Sequence, residues 1–304
     1  GGVDREHSRK CRKGEGKGRD LAVFEQALIS TILGGLVYAL IALGFALALG
    51  VLNIPNFSHG VVVLIGIYLA YFAAVSAGVG PLAAMVPIMV LVALAGLVYY
   101  TVVIRPVLAR PQNTHVVTTL GSMVVLQALL TYLFTSTARE VPGINLSSIK
   151  FLSTYVPVAR LTAAACALVA VLVVGIVLSR TDIGLAVRAC VSDLQAATLS
   201  GIRVGQVFAI AFVTTVVVAA LAGVALSLYT PASPTDDVTY LTIAFAVFVL
   251  AGSTRIRTLI VSGLLISAIT EFGSTYLSAT YSEAILFGAI AVTLLLKPEG
   301  LFRR

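Results

Sequence analysis

Three stretches of the 304-residue chain carry residue types able to do more than fill space. The first is GVLNIPNFSHG, Gly50 to Gly60, which sets Asn53, Pro55, Asn56, Ser58 and His59 between two apolar runs. Pro55 removes a backbone donor and disfavours continuing a helix. Asn56 or Ser58 can cap the next helix, whose first four N–H groups otherwise lack partners. Two readings stand: a capped turn between helices, or a polar break lining a solute path, because irregular backbone at membrane depth is tolerated only beside a cavity or inside protein. His59 alone reads as a hydrogen-bonded structural residue rather than a metal ligand. The second stretch is RTDIGLAVRACVSDLQAATLSGIRVG, residues 180–205. Ser192-Asp193-Leu194-Gln195 has the form of a capping box, with Ser192 at the N-cap and Gln195 at N3, and Gly201 suits the C′ position. A helix of about eight residues, about 12 Å long, is expected between them. The third is Glu271, an acid inside an apolar run. It is either a transport group or a residue reaching the interface from the helix end near Leu277.

Other chemistries lack their residues. There is no G-x-x-x-x-G-K-[ST] phosphate loop, no HExxH and no G-x-S-x-G. Cys11, Cys166 and Cys190 form no disulfide framework, and with His7, His59 and His115 they show no metal-ligand spacing. No catalytic residue, metal or cofactor is expected. The few acids inside apolar segments leave a proton- or sodium-coupled carrier without obvious coupling carboxylates.

These stretches must be positioned by an apolar scaffold. The chain is 59% hydrophobic and 11% charged, against about 25% charged in soluble domains. Nine apolar runs are long enough, or nearly so, to cross about 30 Å of hydrocarbon: roughly 28–50, 60–77, 82–104, 116–136, 160–178, 206–229, 241–254, 259–277 and 284–296. The expected fold is all-α, a polytopic helical transmembrane bundle of about 8–9 membrane-spanning segments. The seventh and ninth runs are short. Gly and Ala in the runs imply close helix packing, and no internal repeat is evident. The net charge of +7 divides into +3 over residues 1–20 and +4 over the other 284, too sparse for a nucleic-acid face. Residues 1–20 read as a basic, disordered tail, and 21–304 as one membrane domain.

Arg105, Arg110, Arg180, Arg188, Arg203, Arg255, Arg257, Lys297, Arg303 and Arg304 fall in connections that alternate crossings can place on one side, the cytoplasmic one by the positive-inside rule. The connection PASPTDDVTY (231–240), with Asp236 and Asp237, then falls outside. Nine crossings also place the N-terminus outside, against the basic charge of residues 1–20.

The chain resembles the permease subunit of branched-chain amino acid ABC importers from about Ile29 onward. GLVYALIALGFALALGVLNIPNFSHG (35–60) is similar to the family's opening segment and its N-F-[AS]-H-G signature. GLAVRACVSDLQAATLSGI (184–202) is similar to its cytoplasmic loop; EFGSTYLSATY (271–281) and KPEGLFR (297–303) add support. The resemblance implies a bacterial inner-membrane importer subunit in the lipid bilayer, paired with a second permease. Two cytoplasmic ATPases would dock on Gly184, Arg188, Ala189, Asp193, Gln195, Ala197 and Gly201, and an extracytoplasmic solute-binding protein would deliver substrate. Asn53, Asn56, Ser58, His59, Gly60 and Glu271 are the candidate substrate path. Family members carry branched-chain or other amino acids, urea or short amides. The competing function is a secondary carrier or channel working alone. One departure is visible: a Gly-rich turn usual in the family reads AGSTRIR here (251–257), with two cations. They would either anchor the turn at the anionic leaflet or pair with acids on a partner.

Overall fold

The fold is a computed structural model that describes residues 3–135, 137–142, 147–151 and 154–297, with side chains from Leu21 onward except at Phe151, Ala279, Thr280 and Glu283. Among the described residues, eleven α-helices and one hairpin follow in order, with a π-helical turn (Tyr100–Ile104) and a 3-10 turn (Arg105–Val107) after the third helix. The first four helices are α1 (Val3–Leu52), α2 (His59–Ala77), α3 (Pro81–Tyr99) and α4 (Gln112–Phe134). The hairpin pairs β1 (Ser148–Phe151) antiparallel with β2 (Thr154–Pro157). Then come α5 (Val158–Arg180), α6 (Asp182–Ser192), α7 (Leu194–Leu199), α8 (Val204–Leu226), α9 (Asp237–Ala251), α10 (Ile256–Tyr276) and α11 (Ala279–Leu296). Among the described residues, seven helices are long and apolar enough to cross a membrane, and two shorter apolar ones lie at the seventh and ninth expected runs. The helical bundle expected from composition is therefore the fold. α1 is described from Val3 to Leu52, and its membrane-spanning part is Leu21–Leu52.

Contacts fix the direction of each helix. α1 runs antiparallel to α10: Gly50 packs on Thr254, Gly35 on Leu264, and Gly34 on Ser267 and Glu271. α5 runs with α1, since Arg160 bonds Ser30 near one end and Gly175 meets Ile256 near the other. α8 therefore returns against α1, and α3 packs antiparallel on α8 through Gly96–Val216 and Tyr99–Phe212. Leu52, Arg105, Arg180–Arg203, Arg255 and Leu296 share one end, here the Arg-rich end. Arg139, Arg160, Leu226 and Tyr276 lie toward the far end.

Two connections do not stay at the surface. After α1 reaches the Arg-rich end, residues 53–58 turn back into the bundle. His59 opens α2 against Gly44, eight residues or about 12 Å before the end of α1. After α8 reaches the far end, 227–236 turn inward in the same way, and α9 starts beside α2. A Cβ on Gly60 would collide with the Asp237 carbonyl, so only glycine lets these two helix starts abut. Asp237 is wholly buried. The acidic connection expected at the outer face is thus partly an interior element, and α9, at 15 residues, is short because it begins midway.

The same order of parts occurs twice, in opposite senses: long helix, inward turn, half-buried helix and two more helices. α1–α4 runs one way and α8–α11 the other, an inverted repeat of the kind transporters use. Its trace in sequence is faint. Gly44-Phe-Ala-Leu-Ala-Leu49 answers Gly223-Val-Ala-Leu-Ser-Leu228, and Pro55 and Pro234 each follow eleven residues after the glycine.

This packing gives a test. Gly60→Ala is expected to cost about 2 kcal/mol or more, because a backbone carbonyl cannot swing away as a side chain can. Gly121→Ala on α4, where a Cβ would meet nothing within 4 Å, should change stability by less than about 1 kcal/mol. Thermal unfolding in detergent compares the two.

Candidate functional site

The break after α1 is held by a buried polar chain. Asn53 takes a left-handed φ of 54°, a conformation Asn tolerates, and ends α1 with its N–H on the Leu49 carbonyl at 3.1 Å. Asn56 Oδ1 accepts from the Ser58 amide (3.2 Å) and the Ser58 hydroxyl (2.6 Å). Ser58 Oγ reaches the Tyr99 hydroxyl at 2.8 Å, which reaches Ser122 Oγ at 2.6 Å. Thr119 donates to the Pro55 carbonyl at 3.1 Å. His59 Nε2 meets the Ile41 carbonyl at 2.9 Å; a carbonyl only accepts, so the ring donates there. Asn56, Ser58 and His59 are at most 1% exposed. From α4, Gln127 Nε2 donates to Asp237 Oδ1 at the start of α9, at 3.0 Å. Ser58 stands at the N-cap of α2 without a side-chain bond to that helix, so the polar chain ties the turn to itself and to α3 and α4 rather than capping α2. Asn56→Leu is expected to cost about 1–3 kcal/mol, by orphaning the Ser58 amide and hydroxyl, and so to lower the unfolding midpoint while leaving uptake per folded molecule unchanged. A normal midpoint with reduced uptake would restore the path reading for this segment.

Glu271 lies elsewhere. It lines a cavity of about 470 Å³ between α1, α9, α10 and α11, whose wall includes none of Asn53, Asn56, Ser58, His59 or Gly60. Arg160, from the first turn of α5, donates Nη2 to Glu271 Oε1 at 2.6 Å and Nη1 to Ser30 Oγ at 2.6 Å. Its guanidinium also lies over the Tyr229 ring, 5.3 Å from the centroid. The two side chains are 25% and 21% exposed. Gly34 on α1 keeps the space beside Glu271 open. Glu271 is therefore not an interfacial carboxylate reaching out from a helix end but half of an inward-facing ion pair. Sequence reading missed Arg160. Its partner is 111 residues away, and the one available signal was an arginine opening an apolar run while a lone acid sat inside another.

The connection 181–203 is two helices rather than one. Thr181 Oγ1 accepts from the Gly184 amide (3.2 Å) and starts α6. Asp193, not Ser192, caps α7, taking the amides of Gln195 and Ala196 at 2.9 Å each. Ser192 is still the last residue of α6, and the extended backbone at Asp193 aims its carboxylate at the new helix start. Gly201, at φ 83°, is the expected C′ glycine, and the Ile202 amide returns to the Ala197 carbonyl at 3.1 Å. Gly184 packs on the Leu178 carbonyl, and Arg188 donates to that same carbonyl, closing the C-terminus of α5. Ala197 and Cys190 are buried, and burial pushes the Cys190 thiol up. Ala189 is half-buried. Gly184, Arg188, Ala189, Asp193, Ala197 and Gly201 of the expected docking residues thus build the platform, while its outer face carries the expected Gln195 with Leu194 and Leu199, the last 89% exposed.

Gly252, at φ 58°, closes α9 in the left-handed cap, so the AGSTRIR turn keeps the one glycine it needs. Arg255 and Arg257 line a cavity of about 680 Å³ with Arg188 and the ends of α1 and α5. Residues 298–303 of the KPEGLFR ending lie outside the described residues.

A membrane-spanning bundle with half-buried helices, intramembrane charge and a capped helical platform at its Arg-rich end defines a multi-pass membrane transporter component. Comparison with known proteins narrows the class. The family model described as "branched-chain amino acid transport system / permease component" matches residues 27–295, and the chain belongs to this family. It is 28% identical over 294 residues to the high-affinity branched-chain amino acid transport system permease protein BraD of Pseudomonas aeruginosa, covering 92% of this chain and 95% of that one. It is 27% identical over 297 residues to the LivH permease protein of Escherichia coli, covering 92% and 96%. A probable LivH of Methanocaldococcus jannaschii is 24% identical, covering 88% and 90%. No solved structure matches. The chain is a transport component rather than an enzyme.

Proposed function

We propose that the chain is the membrane-spanning permease of an ATP-driven importer for branched-chain or related amino acids in a bacterial plasma membrane. The observation that carries this reading is the α6–α7 platform at the Arg-rich end. It is tied to α5 by Gly184 and Arg188, so a push on it moves α5 and α8 as a body, yet its outer face exposes Leu194 and Leu199. A carrier working alone would leave that apolar tip without an occupant. Two cytoplasmic ATPases, one on each of two paired permeases, fit the tip. Their ATP-dependent closure supplies the differential affinity that alternating access requires. The Arg-rich end is then cytoplasmic, the Glu271 cavity opens toward the outer half, and an extracytoplasmic binding protein delivers solute there. The names of the BraD and LivH relatives support amino acids over urea or amides. In this reading the path runs through Glu271, while Asn53–Gly60 hold the bundle together. Residues 1–20 remain outside the transport domain at 21–304.

The test uses the outer face, because substitutions there leave the platform's own hydrogen bonds in place. Leu194→Asp with Leu199→Asp is expected to cut ATPase co-purification at least tenfold, with membrane insertion unchanged. ATP-dependent leucine uptake should fall in parallel. Full co-purification with the double variant would overturn the docking surface, and uptake that needs no nucleotide would overturn the importer.

A further inference from the structure

We propose that the cavity around Arg160 and Glu271 is a binding site for a zwitterionic α-amino acid, whose carboxylate is taken by Arg160 and whose ammonium is taken by Glu271. This rests on the importer reading and deepens it by naming the substrate's contacts within the permease.

Charge is the first argument. Two opposite charges share one wall of the cavity and are about a quarter exposed to it. Each has capacity left. Arg160 spends one Nη contact on Ser30 and one on Glu271, and each Nη carries a second N–H. The ion pair uses Oε1 of Glu271, leaving Oε2 to accept. A ligand with both charges can satisfy the two together, exchanging a protein–protein pair for two protein–ligand pairs. An amine or a carboxylate alone satisfies one and strands the other, which is costly at low dielectric.

Shape is the second. About 470 Å³ lies in the range of small-ligand pockets. The lining also includes the apolar side chains of Ile243, Leu286 and Phe287, suited to an aliphatic side chain. Tyr38 and Thr270 complete the polar side. Arg160 also ties α5 to α1, so a ligand that draws it from Glu271 loosens α5 from α10. The platform hangs from the other end of α5, which gives the site a lever toward the ATPase end.

The test is protection from labelling in membrane vesicles holding the chain with its partner subunits, without ATP. The native cysteines are replaced by Ala, and Ser274→Cys, exposed on the cavity wall, reports occupancy. L-Leucine is expected to slow its reaction with a small thiol reagent several-fold, whereas 3-methylbutylamine and 4-methylpentanoate at equal concentration do not. Arg160→Met with Glu271→Gln removes both charges and strands neither. It should raise the half-protecting leucine concentration by about thirtyfold or more, with the unliganded labelling rate unchanged. No protection by leucine, equal protection by either single-charge analogue, or undiminished protection in the double variant would overturn the site. The analogue comparison uses the intact pair and decides the matter even if the double variant does not accumulate. Because labelling needs no nucleotide, its failure is separate from loss of ATP-driven uptake, which would strike the importer reading instead.

Discussion

Hydrocarbon offers no hydrogen bonds, so every peptide group that leaves a helix inside the membrane must find its partner in protein. The architecture follows from meeting that demand twice. Residues 53–58 and 227–236 both interrupt the bundle below its surface. The first is answered by Asn56, Ser58, Tyr99, Ser122 and Thr119 from three segments. The second is tied by an antiparallel bridge from Arg139 to Ala232, by the Tyr68 hydroxyl on the Ala232 carbonyl, and by Asp236 on the Ser233 amide. Two helix starts can then meet at Gly60 and Asp237. Their positive ends face the centre, where the Asp237 carboxylate answers them.

Once the starts are buried, the remaining packing is constrained. α2 must lie on α8, where Gly66 meets Ala220 and Gly223 meets Val63 backbone to backbone. α10 must lie on α1 through Gly35 and Gly263. Close backbone approach substitutes here for the hydrophobic effect, which gives no preference between helix and lipid. The outward faces are correspondingly loose and apolar: Val86, Val90, Leu94 and Val98 form an exposed stripe along α3. Polarity is spent in three places, namely the break, the Arg160–Glu271 cavity and the Arg-rich platform. The second sets opposite charges together beside an apolar lining, whereas the cavity at the platform is lined by arginines alone among its charged groups.

The spans were legible because twenty-odd apolar residues in a row have few other uses. The role of Gly201 was legible because a C′ glycine follows a local rule. The α7 cap was off by one residue: Ser192 and Asp193 both cap well, and only the extended backbone at Asp193 decides between them. Arg160 was hidden because its meaning depends on a partner five helices further along the chain, on α10. Asp237 was misplaced because acids beside prolines usually mark a surface turn, and nothing local says that this turn dives inward. The repeat escaped notice because its halves share little beyond Gly44/Gly223 and Pro55/Pro234; packing constrains small residues and leaves the lipid-facing ones free.

The proposed division of labour makes the break sealed structure and the α9–α10 cavity the place where solute meets the protein. Single cysteines at Ser58 and at Thr242, a cavity-lining position, separate the two when probed with a small membrane-impermeant thiol reagent in vesicles of known orientation, at rest and during ATP turnover. The account predicts that Thr242→Cys reacts from the side opposite the Arg-rich end and that Ser58→Cys stays silent in every state. A reactive Ser58→Cys beside a silent Thr242→Cys would contradict it.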